Sequence, residues 1–457
     1  MLLRLRVKNF KSLNDVDVQF GPFTCFVGPN GAGKSNIFDA IQFLRALTDD
    51  EIQKAAQSVR SPASGAFGPL ELFSGGNVQA PLEFIADMLV PREVIDDFGR
   101  TAHPATTLLR YRLELRYANG STPRLEIAHE ELTGLKAGEV KDTLGFPHGQ
   151  LFRTAAFKPT RRIGKLISTS TEDGQVSLML HQDGGSRGQP IPAGHSPRTV
   201  VGGTNAAEYP TVLAARRKMA SWQLLHLEPS VMRTPDQFGG PSHVTERGGH
   251  IAASLARLVA SQTTGDVLQE AANRLTALVP DVSGLVLDRD EARQQLSVSV
   301  SLRGSSLAHG PRALSDGTLR FLALVTLLLD PKSSEVLCME EPENGIHPAR
   351  IPAAVSLLRD FAVDPDRATD DENPLRQVIV NTHSPDVVRQ LGADKVLFVD
   401  SIEGPKGRVS RISPIAGRWR TSSQAVPIQR LIDFIGGAPL GAEASELQMR
   451  FALGTAG

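Results

Sequence analysis

The stretch that most constrains this chain is Gly28-Pro29-Asn30-Gly31-Ala32-Gly33-Lys34-Ser35, which fits G-x-x-x-x-G-K-[ST]. The run before it, Phe23-Thr24-Cys25-Phe26-Val27, is apolar and β-prone, and Ile37, Ile41 and Leu44 recur behind it at helical spacing. A strand, a glycine loop and a helix in that order form a cradle. Consecutive backbone N–H groups point inward at a helix N-terminus, where the dipole favours an anion. Glycines at 28, 31 and 33 permit backbone angles and close approach that a Cβ forbids. The pattern predicts a polyphosphate held by Asn30, Gly31, Ala32, Gly33, Lys34, Ser35 and Asn36. Lys34 reaches the β- and γ-phosphates, and the Ser35 hydroxyl ligates Mg²⁺. The competing reading is a glycine-rich turn before an ordinary helix.

At 457 residues the chain has room for two or three domains. Lys+Arg number 49 against 50 Asp+Glu, a net charge of −1, so no global field draws it to nucleic acid or anionic lipid. Cys25 and Cys338 lie in apolar strand-like runs and read as buried thiols, which fits a reducing cytosol. The start, Met1-Leu2-Leu3-Arg4-Leu5-Arg6-Val7-Lys8, alternates apolar and basic residues as a half-buried strand does, not as a signal peptide. The longest apolar run, 321–329, is too short to span a bilayer. A soluble cytoplasmic protein without membrane contact is expected.

Residues 1–47 read as strand, turn, strand, strand, phosphate loop and helix, with the turn 9–12 and its Lys11 close to the nucleotide. From 81 to 135 the pattern is antiparallel, with a hairpin turn at 118–121. Short strands continue over 150–205 and end in a Gly/Pro/Ser-rich loop, 184–203, expected to be mobile. Helices over 251–261 and 266–279 and strands over 285–287 and 296–302 follow. The last third alternates helix and strand: 318–329, 335–339, 348–361, 377–381, 385–390 and 396–399. The acidic loop 364–373 lacks apolar periodicity and is expected to be exposed and flexible.

Three motifs far from the loop complete a constellation. Val336-Leu337-Cys338-Met339 is an apolar strand ending in Glu340-Glu341. A buried parallel strand that delivers two carboxylates beside a phosphate loop places Glu340 on Mg²⁺ and Glu341 on the attacking water. Leu314-Ser315-Asp316-Gly317 opens an apolar helix. Ser315 there is an N-cap, and with the Gly317 N–H it also forms a second anion site; both roles are compatible. Gln377-Val378-Ile379-Val380-Asn381 ends in Thr382-His383-Ser384-Pro385, where His383 is placed to donate to a γ-phosphate.

The order of phosphate loop, LSDG, apolar-EEPENGIHP and NTHSP resembles the ATP-binding cassette ATPases of the SMC/RecF/OLD branch. It is most similar to the compact bacterial AAA-family ATPases related to abortive-infection proteins. Arg6-Val7-Lys8-Asn9-Phe10-Lys11-Ser12-Leu13, Leu227-Glu228-Pro229 and Arg233-Thr234-Pro235 fit the same group. The resemblance is strong at both ends and loose in the middle. It implies an α/β, ABC-type P-loop head: a mixed sheet with an antiparallel β lobe, and an α+β insertion between phosphate loop and signature. The expected division is an N-terminal lobe 1–145, an insertion 146–300, a C-terminal lobe 301–415 and a helical tail 416–457. The family also implies that Ser315 and Gly317 of one subunit close over the ATP held by another, in a head-to-tail homodimer or higher homo-oligomer. Glu340 stands where most cassette ATPases carry Asp.

The interval from Lys34 to Ser315, roughly 280 residues, shows no sustained heptads, so no long coiled-coil arm is expected. The tail after His383 is short for a Toprim domain and lacks its Asp-x-Asp, so nuclease or toxin chemistry is expected from a partner in trans. Three functions follow. One is an ATP-driven switch acting with DNA in repair or phage defence, its local support being Arg153, Lys158, Arg161, Arg162, Lys165 and Arg216-Arg217-Lys218. Another is a regulatory scaffold that holds or releases an effector. A transporter subunit is disfavoured by the long interval and by the absence of glutamine after Gly317.

Overall fold

The computed structural model describes residues 1–59, 68–119, 123–136, 138–139, 143–158, 164–172, 175–183, 188–193, 196–261, 266–333, 335–404, 407–420 and 422–436. Eight strands form an antiparallel sheet in the order Gln189–Pro192, Gln175–Leu180, Lys165–Glu172, Arg124–Gly134, Leu108–Ala118, Leu82–Leu89, Leu2–Phe10, Leu13–Gln19. The basic face of Leu2–Phe10 is answered by acids on its neighbours. Arg4 pairs with Asp17, Arg6 with Asp15 at 3.4 Å and Lys8 with Glu83 at 2.9 Å. Such cross-strand pairs reinforce a register already set by the apolar alternation.

The second sheet positions the site. Trp222–Leu225, Val336–Glu340, Gln377–Thr382, Phe23–Val27 and Val396–Gly404 run parallel, and Gly407–Pro414 closes the edge antiparallel. Phe23–Val27 and Gln377–Thr382 are buried at every position, as a sheet covered on both faces requires. Phe26 joins the core shared with the antiparallel sheet and the helix Lys34–Ala46. Cys25 and Val27 face a second core built on the helices Ile251–Ser261, Asp316–Leu329 and Ile351–Phe361. The register pairs Glu340 with Asn381 and Thr382 with Val27, so three strands end together. Ligands in open parallel sheets bind beyond those carboxyl ends.

A small sheet, Asp236–Gln237, Gln295–Leu302, Val282–Asp290 and Ala308–His309, lies before the signature helix in sequence. Strands from the middle of the chain enter both large sheets: Trp222–Leu225 pairs with Val336–Glu340, and Lys165–Glu172 with Arg124–Gly134. No described helix is long and apolar enough to cross a membrane.

Two loop expectations are corrected. Within 184–203, Gln189–Pro192 is an edge strand and Val200–Gly203 a short helix with Thr199 as its cap, accepting from Gly202 N–H at 3.1 Å. The Glu130 carboxylate accepts from the N–H groups of Val200 and Val201 at 2.8 and 2.9 Å. Glycine and proline conceal these elements because so few apolar residues carry them; 184–187 and 194–195 lie outside the described residues. The acidic loop 364–373 is tied down rather than loose. Asn373, 5% exposed, accepts from Asp364 N–H at 2.8 Å and donates to the carbonyls of Asp364 and Ala368 at 3.0 and 2.9 Å. Pro365 also accepts from Gly149 N–H at 2.8 Å. Residues 120–121 of the hairpin turn and the tail beyond 436 lie outside the described residues.

Candidate active site

The phosphate loop leaves Phe23–Val27 and re-enters as the helix Lys34–Ala46, with Gly33 at the N-cap (φ 93°). At Gly28 (φ 154°) a Cβ would stand 2.2 Å from the Val399 carbonyl oxygen; at Gly33 it would stand 1.9 Å from Ser410 Oγ. Only glycine fits either place. The loop borders an open cavity of about 770 Å³, around which lie Asn30, Gly31, Gly33, Lys34, Ser35 and Asn36. Ala32 is 2% exposed and packs beneath. The Lys34 ammonium donates to the carbonyls of Gly28 and Pro29 at 2.8 and 3.0 Å. Burial lowers its pKa, opposed by the charges of Glu341, Glu340 and Glu343.

Glu340 and Glu341 face the same cavity from the end of Val336–Glu340, which Gln377–Thr382 separates from Phe23–Val27. Asn381 donates to Glu340 Oε1 at 3.1 Å. Glu341 has a left-handed backbone (φ 46°), fixed by its N–H to the Asn381 carbonyl at 2.9 Å. His383 is not among the cavity-lining residues; its Nδ1 lies 2.9 Å from Glu341 Oε1. Ser35 and Glu340 offer oxygen donors of the kind Mg²⁺ prefers, and the glycine cradle fits a polyphosphate.

Ser315 caps the helix Asp316–Leu329 by accepting from Thr318 N–H at 3.2 Å. Neither Ser315 nor Gly317 borders the cavity of its own chain, and Ser315 is exposed. Gly317 is buried against the turn at Gly345, where a Cβ would meet the Gly345 carbonyl oxygen at 2.5 Å. Lys11 does not border the cavity either. Its ammonium lies 2.7 Å from Asp39 Oδ2, on the phosphate-loop helix, so it braces that helix from outside.

Several contributors escape sequence reasoning. Ser410 donates to the Ala32 carbonyl at 2.7 Å and lies 2.6 Å from Ser12 Oγ, which also accepts from Asn36 Nδ2 at 2.6 Å. Chain ends 398 positions apart thus clamp the loop. His226 and Glu228 reach the cavity from the end of Trp222–Leu225, and Arg320 and Asn344 from the signature side. The only advance sign of the first pair was Leu227-Glu228-Pro229. Glu343 accepts from Thr382 Oγ1 at 2.5 Å, and burial raises its pKa.

The basic residues suggested for DNA are largely committed to their own chain. Arg216 and Arg217 pair with Asp97, Lys218 is buried on Glu335, and Lys165 lies 2.5 Å from Glu131. Lys158 donates to the Pro104 carbonyl at 2.8 Å, while Arg161 and Arg162 lie outside the described residues.

Fold and site together are those of a P-loop head: a phosphate loop at the carboxyl edge of a largely parallel sheet, beside an antiparallel sheet. Residues 273–389 match the family model described as "AAA domain, putative AbiEii toxin, Type IV TA system", and residues 4–78 match one described as "AAA domain". An OLD nuclease of Thermus scotoductus is 57% identical over 44 residues, 10% of this chain and 8% of that protein. A DNA replication and repair protein RecF of Corynebacterium jeikeium is 40% identical over 57 residues, 12% of this chain and 13% of that one. The chain thus matches only a small part of either relative's length. A solved SMC head bound to the C-winged helix domain of ScpA covers 91% of this chain and 98% of its own, at 14% identity and a TM-score of 0.48. Family models and relatives agree with the motif order in giving this chain an SMC/RecF/OLD-like ATPase resemblance.

Proposed function

We propose that this protein hydrolyses ATP at the Lys34–Glu341 site, and that a second copy completes the site head to tail. The observation that carries this reading is convergence. Lys34, Ser35, Glu340 and Glu341 surround one cavity at the carboxyl edge of one sheet, with His383 on Glu341. Glu341 takes the proton of the attacking water, and His383 orients that carboxylate. Lys34 faces the β- and γ-phosphates, and the loop N–H groups orient them. Ser35 and Glu340 would hold Mg²⁺, which would supply charge neutralisation at the phosphate oxygens. Ser315 is exposed and, with its helix N-terminus, stands apart from its own chain's cavity, which suits the nucleotide of a neighbour.

The nucleotide-driven dimer acts in phage defence or DNA repair by holding or releasing an effector protein in trans. The internal pairing of Arg216, Arg217 and Lys218 favours that scaffold role over direct DNA binding. Glu341→Gln tests the chemistry. The variant keeps ATP binding and loses about 10²–10⁴-fold in turnover, the usual worth of a general base. Turnover at the wild-type rate would remove Glu341 from the role.

A further inference from the structure

Both oxygens of Glu341 are engaged within its own chain. Oε1 lies 2.9 Å from His383 Nδ1, and Oε2 accepts from Asn344 Nδ2 at 2.6 Å. Asn344 is itself fixed. Its N–H donates to the Glu341 carbonyl at 3.0 Å, and its own carbonyl accepts from Arg320 Nη1. Arg320 belongs to the signature helix Asp316–Leu329, whose Gly317 packs on Gly345, the residue after Asn344. The base is therefore tied, through one amide and one guanidinium, to the helix whose N-terminus a second copy is proposed to engage.

We infer that Asn344 is a positioning residue that holds Glu341 back in the single chain and lets go when the signature helix docks on a neighbour's nucleotide. The inference rests on the shared-site reading above. With a partner on each oxygen, the carboxylate is held by its own chain, and a water must compete with Asn344 for Oε2. A partner shifts such a hold only through contacts that differ between the held and released arrangements. The Arg320 bond and the Gly317–Gly345 packing are contacts of that kind. Withdrawal of Asn344 frees Oε2 while His383 keeps Oε1 oriented.

The test uses Asn344→Ala, which removes the side-chain donor, adds no charge beside Glu341 and keeps the backbone carbonyl, and Arg320→Ala, which cuts the tie to the helix. Phosphate release is measured from dilute protein, where chains are apart, to concentrated protein, with kcat and KM separated. Both variants should raise dilute turnover about tenfold, the worth of roughly one charged hydrogen bond, and so shrink the ratio of concentrated to dilute turnover. Arg320→Lys, which keeps a donor, should restore the wild-type ratio of concentrated to dilute turnover. A merely structural role would instead lower turnover at every concentration and raise KM. Variants that melt like wild type yet turn over no faster when dilute would overturn the hold alone. Wild-type turnover that ignores concentration would overturn the shared site, and the hold with it.

Discussion

Ser410 restrains the phosphate loop from the far end of the chain. Its hydroxyl donates to the Ala32 carbonyl and touches Ser12, and Gly33 leaves room for both hydroxyls where a Cβ would strike them. A neutral hydrogen bond of this sort is worth about 1 kcal/mol net. Ser410→Ala should therefore weaken ATP binding about fivefold while saturated turnover stays near normal, because the cradle loosens and Glu341 is untouched. An unchanged affinity in a calorimetric titration would show that the clamp does not shape the loop. Such partners are invisible in the sequence because a lone serine in a β-hairpin carries no pattern. The phosphate loop itself is legible because strand, glycines, lysine and helix fall within one short stretch.

Among the elements, the short helix Val200–Gly203 is held by a buried acid. Burial raises the Glu130 carboxyl from its ordinary 4.5 to about 7, against the pull of two backbone N–H groups and the Tyr111 hydroxyl. The folded chain thus binds this proton more readily than the unfolded one. The contribution to stability is fullest below about pH 4.5 and is lost as pH rises to about 7. Glu130→Gln should remove that loss. Across this window the variant gains on wild type by on the order of 3 kcal/mol, read from melting curves at successive pH values. A gap that does not move with pH would contradict the assignment.

The loop 364–373 makes the opposite point about legibility. Its acidic composition predicted freedom, yet one buried asparagine closes it with hydrogen bonds to Asp364 and Ala368. Limited proteolysis should spare this loop in the wild type and cut it early in Asn373→Ala. Early cutting of both would restore the flexible reading. Parallel strands such as Val336–Glu340 were plain from their unbroken apolar runs. Trp222–Leu225 carries no such sign, because four residues set no period and its partner lies over a hundred positions away.

At the scale of the whole molecule, the site and the signature are separate surfaces of one chain. Lys34 and Glu341 share a cavity, while Ser315 stands outside it at the N-terminus of a 14-residue helix. In the head-to-tail pair proposed above, the signature of each copy meets the nucleotide of the other. Ser315→Arg then leaves ATP binding near normal but blocks closure by bulk, and Lys34→Ala disables the nucleotide site while sparing the signature. Each variant alone should be nearly inactive. The decisive measurement is ATP turnover by the two mixed, with heterodimers verified by mass. The intact phosphate loop of the Ser315→Arg subunit then meets the intact signature of the Lys34→Ala subunit, and activity should return to about a quarter of wild type if each complete site fires independently and subunits mix at random. Persistent inactivity of verified heterodimers would contradict independent firing of the two sites, and full activity of Ser315→Arg as a verified monomer would contradict the shared site itself.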